Sequence, residues 1–372
     1  MAQNFVGSNN INLLEPIGQF GTRLQGGKDS ASPRYIYTKL SKVTKIIFNP
    51  IDNFLLNYKD DDGSPVEPYH YVPIIPMILV NGATGIGTGF STNVPLFNPK
   101  DLINNLLLLM DEKNMKKIKP WYRHFKGKVY CKDKKFYTRG VCNISGKKVV
   151  ITELPIGTWT EKYKEFIEDL VIDGSKNIPD KKKKKQFISE YKTECTETDV
   201  HFTLEFGKDC KDVDKALNLI DSKNTSMSNI HLYNEQGTIK KYNDVNEIIK
   251  EFYEIRLKYY GKRRDYIINK FKKEINIIEA KIKFISRFVS GELKILNVDV
   301  QDIITQLDKM NLPKVDDSYD YLIDMRIRTL TKKKILELKN QHEKILVDLD
   351  LVLSKTDKDM WKEDLNELMD LI

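Results

Sequence analysis

Cysteine is scarce in this 372-residue chain, which has only Cys131, Cys142, Cys195 and Cys210. None forms a CxxC pair, and no histidine stands at ligand spacing beside them. That pattern excludes a disulfide scaffold and a zinc site, and predicts a reduced, intracellular protein. Long apolar runs are missing too. The longest, "VPIIPMILV" at 72–80, is far short of the ~20 residues of a membrane helix and holds two prolines. It predicts a buried strand in a soluble chain. No signal-peptide layout opens the sequence. Acids are outnumbered, 53 against 61 lysines and arginines, for a formal net charge of +8. Such an excess suits a polyanionic partner without demanding one.

What is present divides the chain in three. Length alone predicts about two or three domains, and 40% hydrophobic residues suffice for cores. Residues 1–96 are glycine-rich and mixed, with strand-like "KIIFNPIDNFLLNY" and "HYVPIIPMILV" around the acidic turn "DDDGSP". Residues 97–240 alternate short strands ("KVVITEL", "DVHFTLEF", "SNIHLYN") with helical stretches such as "PKDLINNLLLLM". The Lys181 to Lys185 run is expected to be a solvated loop. Residues 241–372 are helical in pattern. Ile267, Phe271, Ile275, Ile278, Ile282, Ile285 and Val289 recur at steps of three and four, as do Ile335, Leu338, His342, Ile345, Leu349 and Val352. Each seam fits a coiled-coil stripe. Gly291 should end the first helix, and shorter helices ("VQDIITQLDKM", "DYLIDMRIRTLT") lie between the seams. The expectation is an antiparallel pair of long helices carrying a helical knob, with an arm of about 35 Å at ~1.5 Å per residue.

Two glycine-rich stretches carry the chemistry. In "GGKDSASPRYIYTKL", residues 26–40, small residues lead to Arg34 beside Tyr35, and Pro33 biases Ser32 towards extended backbone. Two readings stand: a basic surface loop, or a tyrosine nucleophile beside its charge stabiliser. Residues 1–45 carry Arg23, Lys28, Arg34, Lys39, Lys42 and Lys45 against Glu15 and Asp29, six positive charges to two negative. "NGATGIGTGF", residues 81–90, is not a Walker loop because no Gly-Lys-Ser/Thr follows. It is not a dinucleotide fingerprint either, since Pro95 and Pro99 intervene before the next helix. Ile86, apolar among glycines, is either core or a wedge that pushes between base pairs.

Together these residues resemble type IIA DNA topoisomerases of the eukaryotic and large-virus branch. "AQNFVGSNNINLLEPIGQFGTRLQGGKDSASPRYIYT" is similar to that family's nucleophile-bearing DNA-gate segment, and "PIIPMILVNGATGIGTGFSTNVP" to its DNA-bending loop. "ELPIGTWTEKYKEF" resembles its tower, and "IIKEFYEIRLKYYGKRRDYI" the entry to its coiled coil. "LTKKKILELKNQHEKI" and "MWKEDLNEL" resemble the returning helix. The resemblance implies an α+β multidomain fold: a partial winged-helix DNA gate at 1–96, an α/β tower at 97–240, and a coiled-coil arm with closing gate at 241–372.

It also implies roles. Tyr35 would attack a DNA phosphodiester and stay joined to the 5′ phosphate, Arg34 would stabilise the transition state, and Ile86 would intercalate and bend the duplex. Arg23, Lys28, Trp159, Lys223, Ser226, Ser228 and Asn229 would contact DNA, while Tyr37 would pack. The implied assembly is a homodimer joined at the closing gate, acting on double-stranded DNA in the nucleus or at a site of replication. No metal ligand is assigned in this chain. Mg2+ and ATP would be bound by modules outside it, on a missing part of the chain or on a separate polypeptide, and the chain would begin partway through the winged helix as a fragment. "MRIRTLT" departs from the more apolar stretch usual in the closing gate.

Elementary chemistry agrees. A free tyrosine, with a pKa of ~10, is ionised only about once in a thousand at neutral pH. An arginine beside it supplies permanent charge and planar donors suited to phosphate. The competing expectations are a non-catalytic DNA-bending dimeric scaffold, which needs no Arg34–Tyr35 pair, and a purely structural coiled-coil dimer, which needs no Ile86 loop.

Overall fold

The computed structural model describes residues 1–133, 135–172, 186–208, 210, 212–295 and 297–372. The Lys181 to Lys185 run lies outside the described residues. The chain forms two compact units, Met1–Arg256 with Lys362–Ile372, and Leu257–Trp361. The division therefore falls at 256/257, and contacts do not set residues 97–240 apart from 1–96.

In the first unit, β1 (Leu14–Ile17) pairs antiparallel with β2 (Tyr37–Leu40), bringing Ile17 opposite Tyr37. Next come α1 (Lys42–Ile47) and a 3-10 turn, Pro50–Leu55. This stretch was expected to be strand-like. Local capping wins instead: the Asn49 side chain accepts from the Ile51 N–H at 3.1 Å, and Pro50 has its torsion preset for a helical start. A hairpin of β3 (Tyr58–Asp61) and β4 (Ser64–Pro68) carries the acidic turn. The run at 72–80 is buried, with Ile74, Ile75, Leu79 and Val80 at 0% exposure, but it is no strand. Pro73 and Pro76 remove backbone donors, and the chain turns into α2 (Met77–Asn81). A second hairpin, β5 (Ala83–Ile86) with β6 (Ser91–Val94), follows at once.

Helix α3 (Pro99–Met110) starts where Asn98 accepts from the Lys100 N–H at 2.9 Å, and buries Leu102, Ile103, Leu106 and Met110 on one face. Strands β7 (Lys128–Lys132), β8 (Lys135–Arg139), β9 (Val141–Ser145) and β10 (Lys148–Glu153) precede α4 (Thr160–Glu168). Beyond them lie β11 (Ile188–Thr193), β12 (Phe202–Phe206), the short α5 (Val213–Ala216) and β13 (Ile220–Asp221). One sheet runs β11–β12–β10–β9, another β13–β8–β7. The alternation in β10 and β12 turns Val149, Ile151, Phe202 and Leu204 inward onto Tyr163 and Ile167 of α4. Strands β14 (Ile230–Tyr233) and β15 (Ile239–Tyr242) form a further hairpin. The fully buried Arg256 then bonds Asp52 at 2.8 Å.

Helix α6 (Val245–Val289) starts 22 residues before the expected seam, because Gly261 does not break it. In the second unit its later turns run antiparallel to α9 (Lys332–Ser354): Arg264 donates to the Leu353 carbonyl at 3.3 Å, and His342 lies 3.0 Å from Glu279. Between them α7 (Val300–Lys309), α8 (Asp320–Ile323) and a 3-10 turn, Ile327–Thr329, make the knob. Its core joins Leu307, Leu312, Tyr319 and Leu322 to Phe284, Ile285 and Leu338 of the long helices. Gly291, at φ +80, reverses the chain just past α6. Last, α10 (Asp357–Leu371) places Trp361, fully buried, in a stack on Tyr260 with ring centres 5.3 Å apart.

Candidate active site

The loop between β1 and β2 ends in a one-turn 3-10 segment, Pro33–Tyr35. Pro33 holds Ser32 extended (φ −57, ψ 140), and the Tyr35 N–H closes the turn on the Ser32 carbonyl at 2.9 Å. Ile36 is extended again and enters β2. The pair therefore stands on a short, fixed turn between two extended residues. Tyr35 is 70% exposed, and the Arg34 guanidinium sits 5.8 Å from its ring centre. Among the described residues no carboxylate pairs with Arg34, and nothing bonds the Tyr35 hydroxyl. Tyr37, expected to pack, is 69% exposed.

The rest of the loop is pinned. Arg23 is 5% exposed and its guanidinium bonds the Glu153 carboxylate at the end of β10, itself 1% exposed. Glu153 also accepts from the backbone N–H groups of Leu154 and Lys126, at 2.9 and 3.1 Å. An arginine so buried and neutralised fastens the loop to the end of β10. The carbonyls of Arg23 and Leu24 accept from the Thr160 and Glu161 N–H groups, two of the unpaired donors at the start of α4. Asp29 accepts from the backbone N–H of Thr22 at 2.8 Å and from its hydroxyl. Burial pulls the Asp29 pKa up, but these bonds and its own backbone N–H outweigh it and hold the carboxyl below its ordinary value. Trp159 is half-buried, edge-on to Phe5 at 5.7 Å, and lies under Gly26. Any Cβ on Gly26 would fall 2.2 Å from the indole. Trp159 thus acts as a floor for the loop. Lys28 stays exposed.

The β5–β6 hairpin presents Ile86 at 93% exposure, the largest value for a big apolar side chain among the described residues. Its turn needs the glycines: Gly89 has φ +79, and Gly87 N–H bonds the Phe90 carbonyl at 2.8 Å. At its base, Asn81 accepts from the N–H groups of Asn10 and Ile11 at 3.0 Å and returns a bond to the Ile11 carbonyl at 2.9 Å. The hairpin is thereby tied to the segment that leads into β1. Its other strand lies against residues 223–231. Asn229 donates to the Ser91 hydroxyl at 2.7 Å, and the His231 ring lies 3.0 Å from the Ser91 carbonyl. Lys223 is exposed, and the Ser226 and Ser228 hydroxyls bond each other at 3.0 Å. The structure so joins the exposed Ile86 hairpin to the Lys223–Asn229 candidates, a proximity no local signal could reveal. Glu153, Asn81 and His231 were missed for the same reason.

Three acids of this region already have partners. Asp29 is bound to Thr22, Glu15 pairs with Lys39 at 3.0 Å, and Glu153 holds Arg23. Among the described residues no group of three or more His, Cys, Asp or Glu could hold a metal. Among them, too, no helix is long and apolar enough to cross a membrane.

Residues 1–366 match the DNA gyrase/topoisomerase IV A-subunit family. The chain is 39% identical to the mitochondrial DNA topoisomerase 2 of Dictyostelium discoideum, over 100% of its own length and 29% of that protein's. It is 36% identical to the DNA topoisomerase 2 of Acanthamoeba polyphaga mimivirus, covering 100% of this chain and 34% of the relative. These relatives are therefore matched over about a third of their length. Among solved structures, the DNA-binding, cleavage and re-ligation domain of Plasmodium falciparum topoisomerase II superposes with a TM-score of 0.88 at 34% identity, covering 100% of this chain and 54% of that one. A match of this extent to the family and its solved fold, with the Arg-Tyr turn and exposed isoleucine hairpin in place, makes the chain a member of the type IIA DNA topoisomerase family, in its breakage-reunion region.

Proposed function

We propose that this chain is the breakage-reunion portion of an ATP-dependent type II DNA topoisomerase. The observation that carries the reading is the exposed Arg34–Tyr35 pair on a turn whose supporting loop is pinned. In the reaction the Tyr35 oxygen attacks a backbone phosphorus and gives up its proton. A bond forms between that oxygen and the 5′ phosphate, while the bond from phosphorus to the 3′ oxygen breaks and the 3′ oxygen takes a proton. Arg34 offers its donors to the phosphate oxygens as charge gathers on them. The ester is kept as a protein linkage, so the reverse attack by the 3′ hydroxyl reseals the strand without a high-energy co-reactant.

Two copies of Tyr35, one per strand, would open a duplex for passage of another. Val300 and Ile327 on the knob, 58% and 66% exposed, support a dimer contact through residues 291–334. The domain assignment that accompanies this reading is a partial winged-helix gate (1–96), a tower (97–240) and an arm with closing gate (241–372). Mg2+ and ATP belong to modules outside the chain, and the place of action is the compartment that holds the DNA. Arg23, Lys28, Trp159, Lys223, Ser226, Ser228 and Asn229 are the proposed backbone contacts, the exposed Lys28 and Lys223 foremost, which should make DNA binding weaken with salt. Ile86 is the wedge: unstacking a step costs a few kcal/mol, so Ile86→Ala should leave a bound duplex straighter. A scaffold without chemistry would use Ile86 but not Tyr35. Supplying the metal-binding module and testing for DNA that stays attached under denaturing conditions separates the two. A protein that never forms that link is the scaffold.

A further inference from the structure

An isolated two-stranded hairpin is marginal in water. A wedge at its tip must nevertheless resist the few kcal/mol with which a base step restacks. Something must stiffen the strands behind Ile86, and one side chain is built for it. Asn93 faces Thr84 across the hairpin and accepts from its hydroxyl at 3.0 Å. Its amide nitrogen donates twice, to the Lys223 carbonyl at 3.1 Å and the Ser226 carbonyl at 3.3 Å. Its backbone N–H bonds the Asn229 carbonyl at 2.8 Å. The loop that receives these bonds is itself fixed. Asn224 donates to the Ile156 carbonyl at 2.8 Å, Tyr122 donates to the Asn224 carbonyl at 2.9 Å, and the Thr225 hydroxyl donates to the Phe136 carbonyl of β8.

We infer that Asn93 is a positioning residue for DNA bending: it clips the Ile86 hairpin to the anchored Lys223–Asn229 loop, so that wedge and backbone-contact loop meet the duplex as one rigid body. The inference rests on the proposed function and adds a residue whose side-chain amide is already engaged within the protein. A side chain with both amide hydrogens and its oxygen used, bridging two strands and a loop 130 residues away, makes the hairpin a braced element. An aspartate there would keep the acceptor for Thr84 and lose both donors.

The test is energy transfer between the ends of a labelled duplex bound to the full chain, with thermal unfolding of each protein alongside. Wild type, Ile86→Ala, Asn93→Ala, Asn93→Asp and the Ile86→Ala/Asn93→Ala double variant are compared. Each lost hydrogen bond is worth roughly a two- to tenfold change in an equilibrium. Both Asn93 variants lose two or three such bonds and should therefore lower the bent fraction by at least that factor while unfolding at nearly the wild-type temperature, and the double variant should match Ile86→Ala alone. Wild-type bending by Asn93→Ala and Asn93→Asp overturns the clip while leaving the wedge standing. A full further loss in the Ile86→Ala background also overturns it, because Asn93 would then act elsewhere. A wild-type chain that leaves the duplex straight removes the parent reading and the clip with it.

Discussion

Arg23 and Arg34 lie on the same loop and have opposite fates. Arg23 is buried and neutralised by Glu153, whereas Arg34 is exposed beside Tyr35 with no acid against it among the described residues. The half of the loop from Phe20 to Asp29 is fastened on every side: Gln3 donates to the Phe20 carbonyl at 3.1 Å, Gly26 lies on Trp159, and Thr22 holds Asp29. The half from Pro33 to Tyr37 has one short turn and an outward pair. The contrast teaches where rigidity comes from. On the proposed function, a charge that is to meet a transient phosphate stays unpaired, so the order it needs is supplied by neighbours that are paired.

Breaking the fastened half should cost the most. Arg23→Ala leaves the Glu153 carboxylate buried without its cation, a loss of about 3–5 kcal/mol, read as a lower denaturant midpoint. Gly26→Ala comes next. It forces a side chain into φ +65 and against the Trp159 ring, whereas Gly63→Ala meets φ +81 with open space around it. Gly63→Ala should cost about 1 kcal/mol from backbone strain alone, and Gly26→Ala distinctly more. Equal losses at the two sites would mean that Trp159 yields and is no floor.

Asp29→Asn should have a smaller effect, and one that depends on pH. The folded-state pKa of Asp29 is depressed below its ordinary 3.8, so its contribution is complete well above that value and is lost as pH falls through the folded pKa. The stability gap between wild type and Asp29→Asn should be constant from neutral pH to about 5 and then narrow as pH falls below 3.8 and through the depressed folded value. A gap that instead opens on acidification would reverse the sign assigned to this carboxyl.

How much was legible in the sequence follows the range of the forces. The two seams of α6 and α9 were readable because three-and-four spacing is local, and Gly291 marked the stop. The Arg34–Tyr35 turn was readable from glycine and proline, whose backbone effects reach one or two residues, whereas the residues alone left Ile86 open between core and wedge. The strand expected at 72–80 failed because apolar runs of that length suit buried strands and buried helices alike, and Pro76 decided the matter. The pairing of Arg23 with Glu153 was not legible because its partner is 130 residues away, as is the loop that receives Asn93. Charge and composition show that an arginine exists, not which acid will meet it.

At the exposed half, Tyr35→Phe should barely change stability, within about 0.5 kcal/mol, since it removes one solvent-facing hydroxyl. That makes it the cleanest probe of the chemistry. With the metal-binding module supplied, wild-type protein should form a DNA complex that survives denaturant. Tyr35→Phe should form none while binding duplex as tightly and with the same salt dependence. A denaturant-resistant complex made by the Tyr35→Phe protein would place the nucleophile elsewhere and contradict the assignment of Tyr35.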